Sequence, residues 1–279
     1  VAIAWGGKGR DSNGEISSCS YEARDLGVKS GMWLLEARRL CPNLIVIPYE
    51  FEQYKDVSEK VYRLLFQLTN YVEISSCDEA YIDISTNLNS CSKPEQIVEE
   101  LRRKIKVITG GCTASAGIAK CKLLAKMATD HSKKTYGPDT QYSLFDLSSS
   151  CSSFKNENEM IKSFMSTKKL RDIPGIGWEQ SSKLSEEGLT SVDDFLRLAE
   201  SDSEFHSISN SSTRQTARRL KKLCDGIDTT PLNLSTKQES VGVQITWGIR
   251  FDTHEQIDIF LSDLTNELCK RLIMNELIG

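Results

Sequence analysis

Apolar residues recur along this chain at two spacings, one typical of amphipathic helices and the other of strands. Helical spacing over 51–68 predicts one long helix. YVEIS at 71–75 and YIDIS at 81–85 alternate apolar with polar residues, which predicts two strands joined by SCDEA at 76–80. Similar patterns predict further helices at 21–26, 33–40, 95–108, 120–133, 159–171, 179–187 and 214–223, and further strands at 1–4, 44–47 and 113–118.

The order of these elements indicates an α+β fold. Two paired strands followed by a helix, a strand and a helix are what a sheet with helices on one face requires. A Ser-rich stretch at 148–158 marks a domain boundary, and a second polar stretch at 200–212 interrupts the helical region after it. Together with the length of 279 residues, these breaks predict several modest domains.

The pattern also indicates that both ends of the chain are incomplete. The chain begins with an apolar stretch at 1–4, as if inside a strand. Near the other end, alternation over 241–247 predicts one strand, and an apolar stripe over 257–272 predicts one helix. One strand and one helix are too few to enclose a core, so we expect the chain to be cut at both ends.

Composition narrows the class of protein. No run of eighteen apolar residues is present, and VAIAWGGKGR at the start is not a signal peptide, so we predict a soluble intracellular protein without a membrane span. The nine cysteines are odd in number, scattered and never spaced as CxxC, which favours reduced thiols. With only three histidines at unsuitable spacings, we expect no structural zinc site.

The net charge of −4 argues weakly against nucleic-acid binding, but the charges are unevenly distributed. The segment 120–134 carries five lysines against one aspartate, and 214–222 carries five cations and no acid. Such clusters suit a surface that faces phosphates. For any single run, however, a solvated helix face is the commoner explanation.

Asp78 and Glu79 are the strongest candidates for chemistry. They lie at the predicted hairpin tip, where a bend allows two consecutive side chains to face one site. Carboxylate oxygens suit Mg²⁺, and two such ions can stabilise both the attacking and the leaving oxygen of a phosphoryl transfer. An acidic pair at a turn is also commonly just solvated, so the metal interpretation depends on its neighbours.

Two other motifs offer contacts to anions. Tyr21 and Arg24 share a helix face, and Ser18 is expected at the N-terminus of that helix, so the three suit a triphosphate. The alternative is that Tyr21 packs on a sheet and Arg24 pairs with a neighbouring acid. The PGIG turn at 174–177 either presents N–H groups to a DNA phosphate or is simply a compact turn between helices.

The chain resembles the Y-family of translesion DNA polymerases through five strings in order: EISSCSYEARDLGVKSGM, LCPNLIVIPYEFEQY, SCDEAYIDIS, ASAGIAKCKLLAKMAT and LRDIPGIG. The resemblance covers the chain from residue 1 to about 279. It implies a multidomain right-hand polymerase core with a ferredoxin-like palm, small fingers, a helical thumb and a partial little-finger domain. SCDEA, SCSYEAR and SVGVQITWGIRF resemble in particular the eukaryotic deoxycytidyl transferase branch, which inserts dCMP.

The resemblance implies roles for the candidates that would bind metal and nucleotide. Asp78 and Glu79 match the metal-binding motif of the family, so they would bind two Mg²⁺ ions. Ser18, Tyr21 and Arg24 match residues that contact the incoming triphosphate. Lys133 is similar to the lysine that completes this triphosphate site, although a longer spacing to the following glycine leaves Lys134 as the alternative.

The resemblance also implies a DNA-binding surface. Trp33 corresponds to an aromatic residue near the template base. Gly175, Ile176 and Gly177 correspond to the thumb's contact with the DNA backbone. The strand at 241–247 corresponds to the first strand of the little finger, which lies along the duplex.

By this resemblance the fingers cover 1–50, the palm 51–147, the thumb 148–233 and the little finger 234–279. The implied partners are primer–template DNA, a deoxynucleoside triphosphate with dCTP preferred, and other translesion polymerases bound through flanking regions, all in the nucleus. The family's first metal carboxylate, its steric-gate aromatic residue and the branch's template-mimicking arginine belong upstream of Val1. We therefore expect the chain by itself to be catalytically inactive.

Three hypotheses remain for the function. The leading one is templated nucleotidyl transfer in translesion synthesis and DNA repair, with dCMP inserted opposite template G or an abasic site. The alternative is a non-catalytic scaffold that binds damaged DNA through the PGIG turn and the basic helices. A nucleotide cyclase built on a similar palm ranks last, because neither the PGIG turn nor the strand at 241–247 would have a role in it.

Overall fold

The computed structural model of the protein describes residues 1–5, 14–88, 93–145, 156–199, 214–235, 240–245 and 248–274. They form two compact units, Val1–Leu232 and Asn233–Gly279. The first unit mixes strands with helices, as the predicted α+β class requires. None of the helices within these ranges is both long and apolar enough to cross a lipid bilayer.

The first unit begins with a small sheet covered by two short helices. Strands β1 (Ala2–Ala4), β2 (Ile16–Cys19) and β3 (Val46–Ile47) lie in the order β2-β1-β3, with β2 antiparallel and β3 parallel to β1. Helices α1 (Tyr21–Asp25) and α2 (Leu34–Leu40) follow β2 along the chain. We call the buried apolar group between these elements the β1–β3 core; it consists of Ala2, Ala4, Ile16, Cys19, Ala23, Val28, Leu34, Ala37 and Leu44.

A long helix then leads into the predicted hairpin. Helix α3 spans Phe51–Leu68, as its apolar spacing predicts. Strands β4 (Val72–Ile74) and β5 (Ala80–Ile82) pair antiparallel, with Val72 opposite Ile82. The predicted hairpin is therefore confirmed, and its tip spans 75–79.

The next segment forms a strand–helix–strand unit. After α4 (Pro94–Ile108), strand β6 (Ala116–Ile118) pairs in parallel with β7 (Gln141–Ser143), and α5 (Lys122–Tyr136) connects them. Strand β7 is absent from the sequence-based expectations. Gly117 lets β6 approach α5 closely, because a Cβ there would lie 2.0 Å from the Ala125 carbonyl oxygen.

Five helical elements follow in the described residues from 156 to 199 and from 214 to 224. The predicted helix at 159–171 is wrong in extent: α6 spans Glu157–Ser166, and a separate 3-10 turn covers Leu170–Asp172. Helix α7 (Trp178–Glu186) was predicted, α8 (Val192–Ala199) was not, and α9 spans Arg214–Cys224. The predicted polar stretch at 200–212 and most of the one at 148–158 lie outside the described residues.

These helices share one apolar core with α5, which we call the α5 core. Its largest fully buried side chain is Phe195, on α8. Within the described ranges this core joins α5 to four later helices, so 122–145, 156–199 and 214–224 share one core. Its buried members are Leu123, Leu124, Met127, Ala128, Leu144, Met160, Phe164, Met165, Leu170, Ile173, Ile176, Leu184, Leu189, Val192, Phe195, Leu220 and Cys224.

The second unit contains helix α10 (His254–Met274). The strand predicted at 241–247 is not formed over 241–245, and 246–247 lie outside the described residues. Arg271 on α10 donates a hydrogen bond to the Gly242 carbonyl oxygen at 2.9 Å, so this segment contacts the helix without forming a ladder.

Candidate functional site

The hairpin tip between β4 and β5 bends tightly around the hydroxyl group of Ser76. The backbone N–H groups of Asp78 and Glu79 donate to Ser76 Oγ at 3.3 and 3.1 Å. Ser76 Oγ in turn donates to Asp78 Oδ1 at 2.6 Å. The N–H of Ser75 closes the turn by donating to the Glu79 carbonyl oxygen at 2.9 Å. The predicted bend between the two acidic residues therefore exists, and both side chains are exposed.

Helix α3 fixes this tip from one side. The hydroxyl group of Tyr62 donates to the Ser76 carbonyl oxygen, and Ser58 Oγ donates to the Cys77 carbonyl oxygen at 2.6 Å. Burial raises the pKa of the Tyr62 phenol, and negative charge at Cys77, Asp78 and Glu79 raises it further, against the hydrogen bond with Ser58. Helix α3 thus holds the backbone of the tip at two carbonyl groups.

Helix α5 approaches the hairpin with two lysines one turn apart. Lys122 Nζ lies 2.9 and 3.1 Å from the two carboxylate oxygens of Glu73 on β4. Lys126 Nζ donates to Oε1 of Glu79. Burial alone would lower the pKa of Lys126, but the hydrogen bond and charge of Glu79 outweigh it and raise that pKa above its ordinary value. One of the two candidate metal ligands is thus already paired with a cation.

The chemistry of these donors suits a hard divalent cation. Magnesium is usually bound by one or two carboxylates together with water and substrate phosphates. Asp78 and Glu79 supply two carboxylates at a solvent-exposed tip. Within the residues that the structure describes, no group of three His, Cys, Asp or Glu side chains converges at one point. The pair fits a metal site that leaves most coordination positions to phosphate oxygens and water.

Tyr21 and Arg24, two of the candidates for triphosphate binding, lie on the β1–β3 core. Arg24 Nε donates to the Cys19 carbonyl oxygen at 3.1 Å, and its guanidinium carbon lies 5.2 Å from the centre of the Tyr21 ring. In the part of the chain that the structure describes, Arg24 forms no ion pair with Glu22 or Asp25, so the alternative that it pairs with a neighbouring acid is wrong. Stacked on Tyr21 and bonded only through Nε, the guanidinium keeps its terminal nitrogens for an anion.

Ser18 lies elsewhere than the sequence indicates. It belongs to strand β2, and the N-cap of α1 is Ser20. The expectation that Ser18 lies at the helix N-terminus is therefore wrong, because the strand continues to Cys19 through its pairing with β1. Ser20 does not cap the helix with its side chain either.

The two possible triphosphate lysines differ in their surroundings. Lys134 Nζ lies 3.4 Å from Asp172 Oδ1. Lys133 is half-buried, and within the described ranges its ammonium group has no ion pair or hydrogen bond. Both lie near the C-terminal end of α5. The difference favours Lys133 as the lysine that is free to meet an incoming anion.

The predicted site residues form three groups. Ser18, Tyr21 and Arg24 belong to one, and Asp78 and Glu79 to a second with Lys126. No hydrogen bond or ion pair joins these two groups in the part of the chain that the structure describes. Trp33 is the N-cap of α2 and pairs with Glu15 in an isolated bridge; its side chain is 53% exposed.

The PGIG turn forms the third group. Gly175 has φ 92°, and its carbonyl oxygen accepts from Arg219 Nη2 on α9 at 3.1 Å. Ile176 is buried, and its N–H donates to the Ile173 carbonyl oxygen at 3.1 Å, so it anchors the turn and offers no free donor. Gly177 is the N-cap of α7. Only the N–H groups of the two glycines therefore remain available for a phosphate.

Sequence analysis missed Lys126, Tyr62 and Arg219. Lys126 counted only as one member of a basic run, although its spacing from Lys122 places both on one face of α5. Tyr62 lies on α3 but outside the apolar positions that predict this helix, and the sequence alone does not show that its phenol bonds the hairpin. Arg219 had no local signal, since its partner lies 44 positions away.

Comparison with known proteins identifies the family. Residues 1–130 match the family described as impB/mucB/samB. DNA polymerase IV of Shewanella oneidensis is 34% identical over 275 residues, which cover 97% of this chain and 69% of that protein. The chain belongs to the Y-family of DNA polymerases.

Other Y-family relatives are longer than this chain. DNA repair protein Rev1 of Drosophila melanogaster is 34% identical over 93% of the chain, and rev1 of Schizosaccharomyces pombe is 33% identical over 98%. The chain spans only 24% and 26% of these two proteins.

Two solved structures share the fold of this Y-family chain. A Y-family polymerase chimera matches with a TM-score of 0.68 at 23% identity, covering 84% of this chain and 62% of the chimera. DinB from Sulfolobus solfataricus matches with a TM-score of 0.65 at 24% identity, covering 83% and 61%. The predicted α+β polymerase-core fold is thereby confirmed.

Proposed function

We propose that the complete gene product containing this chain catalyses DNA-template-dependent nucleotidyl transfer during lesion bypass and repair. The observation that carries this proposal is the exposed Asp78–Glu79 pair, bent around Ser76 beside the lysines of α5. In the reaction, the primer 3′-hydroxyl oxygen forms a bond to the α-phosphorus of a deoxynucleoside triphosphate. The bond between the α-phosphorus and the bridging oxygen breaks, pyrophosphate leaves, and the hydroxyl proton passes to water.

The hairpin tip would provide the metal-binding side of this reaction. Asp78 and Glu79 would bind two Mg²⁺ ions, which supply charge neutralisation and orientation of the reacting groups. Ser76 orients the Asp78 carboxylate through its hydroxyl group. Tyr62 and Ser58 on α3 hold the backbone of the tip through the Ser76 and Cys77 carbonyl oxygens, so this backbone does not have to be ordered when the substrate arrives.

The fingers residues would bind the triphosphate. Arg24 is oriented by Cys19 and Tyr21 and offers planar donors that suit phosphate oxygens. Ser18 lies on β2, the strand that ends just before Tyr21, and contributes a hydroxyl donor. Lys133 would complete the site from α5, since its ammonium group has no counter-ion within the described ranges.

DNA would be bound mainly through its backbone and one stacked base. The N–H groups of Gly175 and Gly177, which donate no hydrogen bond within the described residues, suit a phosphate, a contact that positions DNA without recognising its sequence. The exposed indole of Trp33 suits stacking with a template base. We propose the fingers, palm, thumb and little finger at 1–50, 51–147, 148–233 and 234–279.

The finer functional assignment rests on the relatives named Rev1. We propose that the nucleotide inserted is dCMP, opposite template G or an abasic site, with other translesion polymerases as partners and the nucleus as the site of action. Offering the four deoxynucleoside triphosphates one at a time opposite G and an abasic site tests the first part. Equal incorporation of all four would contradict it.

Primer extension by the complete gene product tests the reaction itself. Asp78→Asn and Glu79→Gln should each reduce extension by about two orders of magnitude or more, because the metal contribution amounts to several kcal/mol. Asp83→Asn is the matched control: it changes an exposed carboxylate of the same hairpin, which only caps the N–H of Ser85 at 2.8 Å.

Two outcomes would contradict the proposal. Unchanged extension in both tip variants would mean that these carboxylates do not bind the metal. DNA binding without any extension by the wild-type gene product would instead support the non-catalytic scaffold.

A further inference from the structure

Lys122 and Lys126 form ion pairs with the same hairpin, but the two pairs differ in exposure. The side chains of Lys122 and Glu73 are 18% and 16% exposed. Those of Lys126 and Glu79 are 28% and 47% exposed. The first pair is sheltered and holds α5 against β4. The second is accessible to solvent and to any ligand that reaches the hairpin tip.

The Lys126 pair also involves a candidate metal ligand. The ammonium group of Lys126 contacts Oε1 of Glu79, one of the oxygens that a divalent ion would need. A cation so close competes with the metal for that oxygen and repels it. In this conformation Glu79 is therefore partly withheld from a metal ion, whereas the contacts of the Asp78 carboxylate among the described residues are with the neutral donors of Ser76 and Cys77.

Lys126 has an alternative anion on the same face of its helix. Lys126 and Lys133 are seven positions apart, which is close to two full turns and places them on one side of α5. If Lys133 contacts a triphosphate, as proposed above, the phosphates nearest the hairpin tip lie toward Lys126. A triphosphate brings several negative charges, so it can compete with Glu79 for one ammonium group.

We propose that Lys126 pairs with Glu79 until a nucleoside triphosphate binds, and that its transfer from the carboxylate to a phosphate oxygen releases Glu79 for the metal. This inference rests on the proposed function. Lys126 is then a positioning residue that makes metal and nucleotide binding cooperative, since each ligand removes a competitor of the other. It also offsets one of the two negative charges of the tip before substrate arrives.

Two separate affinities test this role. Mn²⁺ binding without nucleotide is measured from the electron paramagnetic resonance signal of free Mn²⁺, and binding of radiolabelled dCTP is measured by equilibrium dialysis in EDTA. Lys126→Met should tighten Mn²⁺ binding and weaken dCTP binding, each by roughly twofold to fivefold, the range expected for one exposed ion pair. A purely structural role would not move the two affinities in opposite directions.

Matched variants complete the experiment. Lys122→Met removes the neighbouring lysine of the same helix face and should not produce opposite shifts. Lys126→Arg keeps the charge and should restore both affinities toward wild type. Thermal melting of each variant shows whether it is folded before its affinities are compared.

The failures can be told apart. If Asp78→Asn and Glu79→Gln leave Mn²⁺ binding unchanged, the metal site of the proposed function is wrong. If those variants weaken Mn²⁺ binding but Lys126→Met shifts neither affinity, or shifts both in one direction, only the role of Lys126 is overturned.

Discussion

The β1–β3 core and the α5 core differ in the number and size of the side chains that they bury. Four of the nine buried residues in the β1–β3 core are alanines, and its sheet has only short strands. The α5 core contains seventeen buried residues, with large side chains such as Phe164, Phe195 and Met165. Less apolar area per residue means less stabilisation, so we expect the β1–β3 core to open more readily.

This difference separates two groups of candidate site residues. Ser18, Tyr21 and Arg24 lie on the smaller core, whereas Lys126, Lys133 and the PGIG turn all lie on the α5 core or its surface. Ile176 in the turn and Met127 on α5 belong to the same buried cluster. The contact proposed for the DNA backbone therefore shares a core with the helix proposed to face the nucleotide, whereas Ser18, Tyr21 and Arg24 lie beside the other core.

The largest expected effect comes from truncating one side chain in each core. Phe195→Ala should destabilise the protein by about 3–5 kcal/mol and Leu34→Ala by about 2–5 kcal/mol, because both side chains are fully buried. After Phe195→Ala, hydrogen exchange should show lost protection in α5 to α9. After Leu34→Ala, it should show lost protection only in the elements from β1 to β3. Loss of protection throughout the first unit in both variants would mean that the two cores unfold together.

A second prediction separates binding from stability in the smaller core. Arg24→Ala should weaken dCTP binding by about tenfold to a hundredfold, since hydrogen bonds to a charged partner contribute about 1.5–3 kcal/mol. The melting temperature should fall only slightly, because the variant loses the hydrogen bond to the Cys19 carbonyl oxygen but no side chain of the buried cluster. Glu22→Ala on the same helix is the control; equal weakening in both variants would place the triphosphate elsewhere.

A third prediction concerns the attachment of the late helices to α5. Asp228 Oδ2 accepts from the Leu123 N–H at 3.2 Å, so a residue that follows α9 caps the first turn of α5. Asp228→Ala should cost about 0.5–2 kcal/mol of unfolding free energy, the usual value of a helix cap. Asp228→Asn keeps an oxygen acceptor and should cost less. Equal destabilisation by both variants in chemical denaturation would contradict the capping role.

The smallest expected effect is a pH dependence at the junction of α5 and α6. Burial lowers the pKa of His131, and the charges of Lys168 and Lys134 lower it further. Its ring lies 4.6 Å from that of Tyr142 and 5.5 Å from that of Phe164, measured between ring centres. Two further groups lie near Nδ1 of His131: the Thr135 hydroxyl group at 3.4 Å and Lys168 Nζ at 3.5 Å. The ring of Tyr136 and the carboxylate of Asp172, which lies beside Lys134, belong to the same junction.

The lowered pKa of His131 determines the direction in which stability changes with pH. The folded protein keeps His131 neutral at pH values where the unfolded chain, with an ordinary pKa of about 6.5, already binds a proton. Stability should therefore fall as pH drops below about 6.5 and level off below the folded pKa of His131. His131→Gln should flatten this part of a plot of melting temperature against pH. An unchanged slope would exclude His131 as its origin.

Local sequence was sufficient where an element depends on its own residues. The extent of α3 follows from its apolar stripe, and the hairpin follows from the alternation of 71–75 and 81–85. The pattern failed at α6, where the chain leaves the helix at Thr167 and forms a separate turn beside α8. It also missed β7, which is too short to show a period and exists because β6 offers it a parallel edge.

By itself, the sequence determined that Asp78 and Glu79 lie together at a bend, because a turn between two alternating segments is a local property. Only the tertiary structure decided that Lys126, 47 positions after Glu79, neutralises one of them. It also decided that Ser18 belongs to a strand and that Arg219 supports the PGIG turn. These contacts depend on packing between distant segments, and neither the identity nor the spacing of neighbouring residues encodes which distant partner a side chain meets.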